Sequence, residues 1–283
     1  MISSFVITLR EGLEASLVVG IILAYLVKVN GRHLFKHMWL GVTLAIVASL
    51  GIGMGVFLTA ASFEGIATKI FEGMSSYLAV IVLTYMIFWM RKQSITLKRE
   101  IEHRVDIVTR SGATASLVLL SFFIVLREGA ETVLFLLATV REQWINLLAA
   151  FLGLVVAVVI GYLIYRGSKG INIKLFFNIT GVLLIVISAG LLAYGTHELN
   201  EAGVIPPVIE HIYDINFLIN EKGIFGGILK DLFGFNANPS LSEAVLYILY
   251  LGSVMTAYFW PYRERSQISQ KVFSAEIVAN KDE

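Results

Sequence analysis

Six charged side chains lie inside apolar stretches long enough to cross a bilayer, and they form two copies of one pattern. Arg10-Glu11-Gly12-Leu13-Glu14 sits in the first stretch and Arg127-Glu128-Gly129-Ala130-Glu131 in the fourth. A charged side chain near the bilayer centre costs about 2.5–3.5 kcal/mol, so six unpaired ones would cost on the order of 15–20 kcal/mol. That is comparable with the stability of a whole domain. On a helix, Arg10, Glu11 and Glu14 fall within an arc of about 100°. The two carboxylates are i,i+3 neighbours, and Arg10 and Glu14 are i,i+4 neighbours. Gly12 and Gly129 lie on the roughly opposite side, where a missing side chain allows close helix contact.

Facing each other, the two pentads present four carboxylates and two guanidiniums, a net charge of −2. Carboxylate oxygens select hard cations. The chain has no cysteine, and no histidine lies within its apolar stretches, so a soft metal finds no ligands there. Two carboxylates from each of two helices follow the logic of carboxylate-bridged iron sites in helical bundles. A hard divalent or trivalent cation therefore suits Glu11, Glu14, Glu128 and Glu131, with Arg10 and Arg127 pairing with glutamates to hold the empty site together. The bland alternative makes each pentad a local ion pair that welds a polar helix into its bundle. Duplication and the surplus of carboxylate argue against it.

The elements that must position these groups are long helices. Of the 283 residues 57% are hydrophobic and 15% charged, against about 25% charged in soluble domains. A spanning helix needs about 20 apolar residues. Seven segments qualify: 2–27, 38–61, 73–90, 113–138, 144–165, 175–196 and 242–260. The expected fold is an all-α integral membrane protein with seven transmembrane helices, its first helix retained and not cleaved as a signal. Lys28, Arg32 and Lys36, then Arg91 to Arg110, then Arg166, Lys169 and Lys174, and finally Arg263, Arg265 and Lys271 occupy alternate loops and the tail. By the positive-inside rule the N-terminus is outside and the C-terminus inside. Arg99, Arg104 and Arg110 read as topology determinants only.

Residues 4–14 (SFVITLREGLE) match residues 121–131 (SFFIVLREGAE) at eight of eleven positions, offset by 117. Three helices separate the copies, so they enter the membrane from opposite sides. This is an inverted repeat of helices 1–3 and 4–6, plus helix 7, and such transporters hold substrate near the midplane between the repeats. One permease domain over 1–261 is expected: repeat one about 1–91, repeat two about 113–196, an external segment 197–241, helix seven at 242–260, and a cytoplasmic tail 262–283. In the external segment Pro206-Pro207 suits a helix start. Ile224, Phe225, Ile228, Leu229 and Leu232 read as a short amphipathic helix on the outer membrane surface, in preference to a re-entrant lid. Gly51, Gly53 and Gly55 suit close helix packing within the protomer, and Tyr85, Trp89 and Trp260 suit interfacial anchoring.

At the two REGxE pentads, at Phe71-Glu72-Gly73, at LTYMIFWM (83–90) and at AGLLAYGTHELNEAG (189–203), the chain resembles the oxidase-coupled high-affinity iron permease family of fungal iron permeases and bacterial EfeU-type transporters. The resemblance covers nearly all of 1–261. It implies iron (Fe3+ or Fe2+) uptake across the cytoplasmic membrane, with iron as transported substrate and no permanent cofactor. It implies Glu11, Glu14, Glu128 and Glu131 as ligands and raises Glu72 and Glu198 as outer metal-gathering residues. It implies an extracytoplasmic ferroxidase or periplasmic iron-binding protein as partner. Relatives assigned to lead leave another heavy divalent metal (lead, manganese or zinc) as the alternative cargo. Glu64, His197 and Glu201 read as solvated loop groups beside that outer mouth, and Glu210, His211 and Asp214 as one face of an exposed helix. A membrane enzyme using paired carboxylates finds no His, Cys or Asp in the core to join them, a non-transporting scaffold or sensor would leave metal flux untouched when its glutamates are neutralised, and the net charge of +1 points to no nucleic acid.

Overall fold

The computed structural model describes residues 2–60, 62–93, 97–110, 114–139, 144–166, 173–210, 212 and 224–260. Among these residues there are nine α-helices and no strand: α1 (Ile2–Lys28), α2 (Phe35–Ala60), α3 (Ile66–Gln93), α4 (Leu97–Arg110), α5 (Thr114–Thr139), α6 (Trp144–Tyr165), α7 (Ile173–Glu201), α8 (Ile224–Phe233) and α9 (Leu241–Phe259). A 3-10 turn at Arg32–Leu34 leads into α2. In α2, α3, α6, α7 and α9 the chain has five helices long and apolar enough to cross a membrane. Helices α1 and α5 have the length, 27 and 26 residues, and each carries one charged pentad. Large apolar side chains cover the outer faces of α2 (Leu40, Leu44, Val47, Met54) and α6 (Phe151, Val155, Val158, Tyr162), as lipid contact requires. This is an integral membrane protein.

The helices pair between the two repeats expected from the sequence. α1 packs chiefly on α6, α2 on α5, and α3 on α7. Exchanging the repeats maps the first pair onto the second and the third onto itself. Small residues make both seams. Gly153 meets Phe5 and Thr8, Ala157 meets Gly12, and Gly161 meets Ser16; on the other seam Gly41 meets Val118 and Ser121, and Ser49 meets Gly129. Residues 153, 157 and 161 on α6, and 41, 45, 49 and 53 on α2, recur every four positions, which lets backbones approach. The expected Gly51, Gly53 and Gly55 set is corrected: only Gly53 touches a neighbour, Val133, and nothing lies within 4 Å of where a side chain at Gly51 or Gly55 would begin. The main apolar core joins Ile7 of α1 to Leu83, Met86 and Ile87 of α3, Phe135 of α5, Leu184 and Ile185 of α7 and Tyr258 of α9.

Two elements depart from the expectation. The basic stretch after the third span forms α4, whose Ile101 and Val105 are buried against Ile22, Leu26, Met38 and Leu117. One apolar stripe on an otherwise charged helix covers the ends of α1, α2 and α5 there. The second departure follows α7. Gly203 (φ 74) turns the chain at its end, as glycine readily does. Residues 204–210 then run as bends, so the helix start expected at Pro206-Pro207 does not form. Helix α8 does form, but Gly234 at its end packs on the backbone of Gly190. Gly190 lies eleven residues before the end of α7, about 16 Å inside that end. The end of α8 therefore sits beside α7, well inside that helix's end. A capping box at Ser240 and Glu243 restarts the chain as α9.

Candidate metal site

The pentads come together because α1 and α5 pack against each other between their partner helices. Gly12 sets α1 against α6, where an added methyl would come 2.8 Å from the Ala157 side chain, and Gly129 sets α5 against Ser49 of α2. With those faces fixed, the charged faces turn inward. One oxygen each of Glu11, Glu128 and Glu131 lies within 4.8 Å of the others. A hard divalent ion holds carboxylate oxygens at about 2.0–2.2 Å, so ligands on opposite sides of it stand about 4.2 Å apart. Small side-chain movements close the cluster around an ion. Glu11, Glu128 and Glu131 each also keep a buried Oε2 with no hydrogen-bond partner among the described residues. Leaving a buried acceptor unpaired costs about 1–3 kcal/mol, and more for a charged one. A cation would relieve all three.

The two arginines differ. Arg10 is 2% exposed and bonds Glu11 at 2.6 Å, Glu14 at 2.8 Å and the Met86 sulfur at 3.0 Å. Glu14 lies outside the three-carboxylate group, and its Oε1, ion-paired with Arg10, is a fourth buried oxygen with no hydrogen-bond partner among the described residues. The side chain of Arg127 is 44% exposed, with Glu131 at 3.0 Å and Glu128 at 3.8 Å. Its guanidinium lies 4.2 Å from the centre of the Trp89 ring. Met86 and Trp89, three residues apart on α3, thus each touch one pentad arginine. Sequence reasoning noticed neither contact, and it read Trp89 as an interfacial anchor; the ring under Arg127 corrects that. Tyr85 and Trp260 are each 69% exposed.

The remaining acidic candidates lie elsewhere. Glu72 accepts a hydrogen bond from the Tyr194 hydroxyl. It stands fourteen residues from Met86 on the same helix, about 21 Å along the axis. Glu198 is half-buried near the end of α7. Neither joins the three-carboxylate group. Glu201 pairs with Lys69 at 2.6 Å, and His197 bridges Glu201 at 3.2 Å and Glu243 at 3.1 Å. Buried Glu243 also accepts from Asn236 at 2.8 Å and from Ser240 at 2.9 Å, which ties α7, α9 and the return segment together. Sequence reasoning passed over Glu243, although Ser240-x-x-Glu243 before an apolar run is a readable capping signature. Glu64 and Glu210 are exposed. His211 and Asp214 lie outside the described residues.

A family model described as the iron permease FTR1 family matches residues 1–258. The ferrous iron permease EfeU of Escherichia coli O6:K15:H31 is 36% identical over 277 residues, which cover 96% of this chain and all of the relative. The protein of the same name in Yersinia pestis is 34% identical over 268 residues, covering 93% and 95%. The E. coli K12 relative, named a putative inactive ferrous iron permease EfeU, is 36% identical over 275 residues, covering 95% and 99%. No solved structure matches the chain.

Proposed function

This chain belongs to the iron permease FTR1 family, a family of permeases and not of enzymes, and from that premise we propose that it takes up ferrous iron across the cytoplasmic membrane through the site between its two pentads. The observation that carries the reading is the convergence of Glu11, Glu128 and Glu131 with three unpartnered buried oxygens. The charge of the site supports the divalent state. Four carboxylates and two guanidiniums leave −2, which one divalent ion neutralises and a trivalent ion overshoots. A neutral loaded site is the least costly charge state away from water. The curated relatives are named for ferrous iron, which supports iron over lead, manganese or zinc.

In this reading seven helices span the bilayer, α1 and α5 included, with the N-terminus outside and the C-terminus inside. The two repeats are inverted, and the exchange of α1–α6 for α2–α5 packing is what their pseudo-two-fold axis requires. The site sits near the midplane, because both pentads lie about midway along their helices. Arg10 and Arg127 neutralise carboxylates while the site is empty, and Arg127, the more exposed of the two, yields its carboxylates to the arriving ion. The repeats then rock to expose the ion to the other side. Glu72 and Glu198 gather iron at the outer mouth, where a periplasmic iron-binding protein or ferroxidase would deliver it.

The test is radioactive iron uptake into proteoliposomes, with and without reductant, against excess zinc, manganese or lead. Saturable, reductant-dependent uptake that resists competition and is lost in Glu11→Gln plus Glu128→Gln is expected. Undiminished uptake in that variant would sink the site, and displacement by another metal would reassign the cargo.

A further inference from the structure

The pentads are equivalent in sequence but unequal in access, and the difference has a location. A cavity of about 460 Å³ runs along the groove between α4 and α5, and its lining includes Arg104, Ser116, Leu120, Ile124, Arg127 and Glu128. The groove is open to its surroundings, and Val108, Leu119 and Phe123 add apolar lining beside the polar ends of Arg104, Ser116, Arg127 and Glu128. Ser116, Leu120, Ile124 and Glu128 recur every four residues, so one face of α5 leads from its first turn to the carboxylate cluster. The distance from Ser116 to Glu128 is about 18 Å along the helix. Glu128 belongs to both the cluster and the cavity wall. Arg127 stands at the junction, half in the cavity and half on the cluster, with Trp89 beneath it. Arg104, which sequence reasoning made a topology determinant only, lines the far end.

We propose that the α4–α5 groove is the water-filled route between the carboxylate site and the α4 side of the membrane, with Arg127 as its gate and Trp89 as the positioning residue that holds the gate. The inference rests on the pentads being the cargo site and adds the side from which that site is open. Swinging Arg127 off the ring gives up a cation–π contact, which corresponds to about a 2- to 5-fold change in the gate equilibrium. Arg10, buried and bonded on three sides, has no such freedom in this conformation.

The chain has no native cysteine, so single cysteines report without background. Ser116→Cys, Leu120→Cys and Ile124→Cys would be reconstituted in oriented vesicles. A charged, membrane-impermeant thiol reagent would be applied from one side at a time, beside an uncharged lipid-soluble one. The charged reagent should modify all three from the α4 side and none from the other. Ferrous ion under anaerobic conditions should slow Ile124→Cys, and Trp89→Leu should change its rate by about 2- to 5-fold, with Trp89→Phe between. Modification by the lipid-soluble reagent alone would make the groove a lipid contact and overturn the proposal, as would modification from the opposite side. Intact iron uptake beside either result would refute the route while leaving the cargo reading standing. Sided modification that iron does not slow, in a protein that carries no iron, would refute the cargo reading and with it the gate.

Discussion

Replacing Arg10 should damage the protein far more than replacing Arg127, although the two occupy the same place in identical motifs. Arg10 is 2% exposed and pairs at 2.6 and 2.8 Å with Glu11 and Glu14. In Arg10→Gln those carboxylates remain buried without their cation, a change that costs about 3–5 kcal/mol. The side chain of Arg127 is 44% exposed, with its nearest carboxylate at 3.0 Å. A pair that water reaches contributes about 0–1 kcal/mol, and the Trp89 ring adds about 0.5–1 kcal/mol. The two losses should differ by at least about 1 kcal/mol, or about 5-fold in the folding equilibrium. Denaturant unfolding in mixed micelles, with tryptophan emission as the signal, measures both. Adding Glu14→Gln to Arg10→Gln should restore much of the loss, because the charge left behind is what destabilises. Equal losses, or a larger one for Arg127→Gln, would refute the burial argument.

Other outcomes follow from the packing and the outer network. Gly129→Leu should cost about 1–3 kcal/mol by forcing α5 off Ser49, whereas Gly51→Leu, which meets nothing, should leave thermal stability unchanged or slightly raised. Glu243→Ala removes a cap and strands its buried partners, about 1–3 kcal/mol; proteolysis within 204–212 should speed up while iron binding at the pentads persists. Glu72→Gln with Glu198→Gln should raise the iron concentration needed for half-maximal uptake without lowering the amount of iron the detergent-solubilised protein binds.

The pentads were legible because charge inside a long apolar run has few innocent explanations, and because Arg127 to Glu131 repeats Arg10 to Glu14. The long helices were legible for the same reason in reverse. What escaped depends on distance in sequence. Gly190 and Gly234 lie forty-four positions apart, and nothing local to either announces that they touch. The stripe Gly41, Ala45, Ser49 and Gly53 does follow a period of four, but the denser Gly51, Gly53 and Gly55 run drew attention to the wrong face. In α4 the spacing of Ile101 and Val105 was readable, and the basic residues around them masked it. The unequal burial of Arg10 and Arg127 could not be read at all, since pentads with the same charged residues carry no sign of which one the neighbouring helices enclose.

The most direct measurement is X-ray absorption on the detergent-solubilised chain loaded anaerobically with ferrous iron, with bound metal counted per chain. One ion in an all-oxygen first shell at about 2.0–2.2 Å is expected, lost in the Glu11→Gln, Glu128→Gln, Glu131→Gln variant. A shell containing sulfur or imidazole nitrogen, or full binding by that variant, would contradict the account.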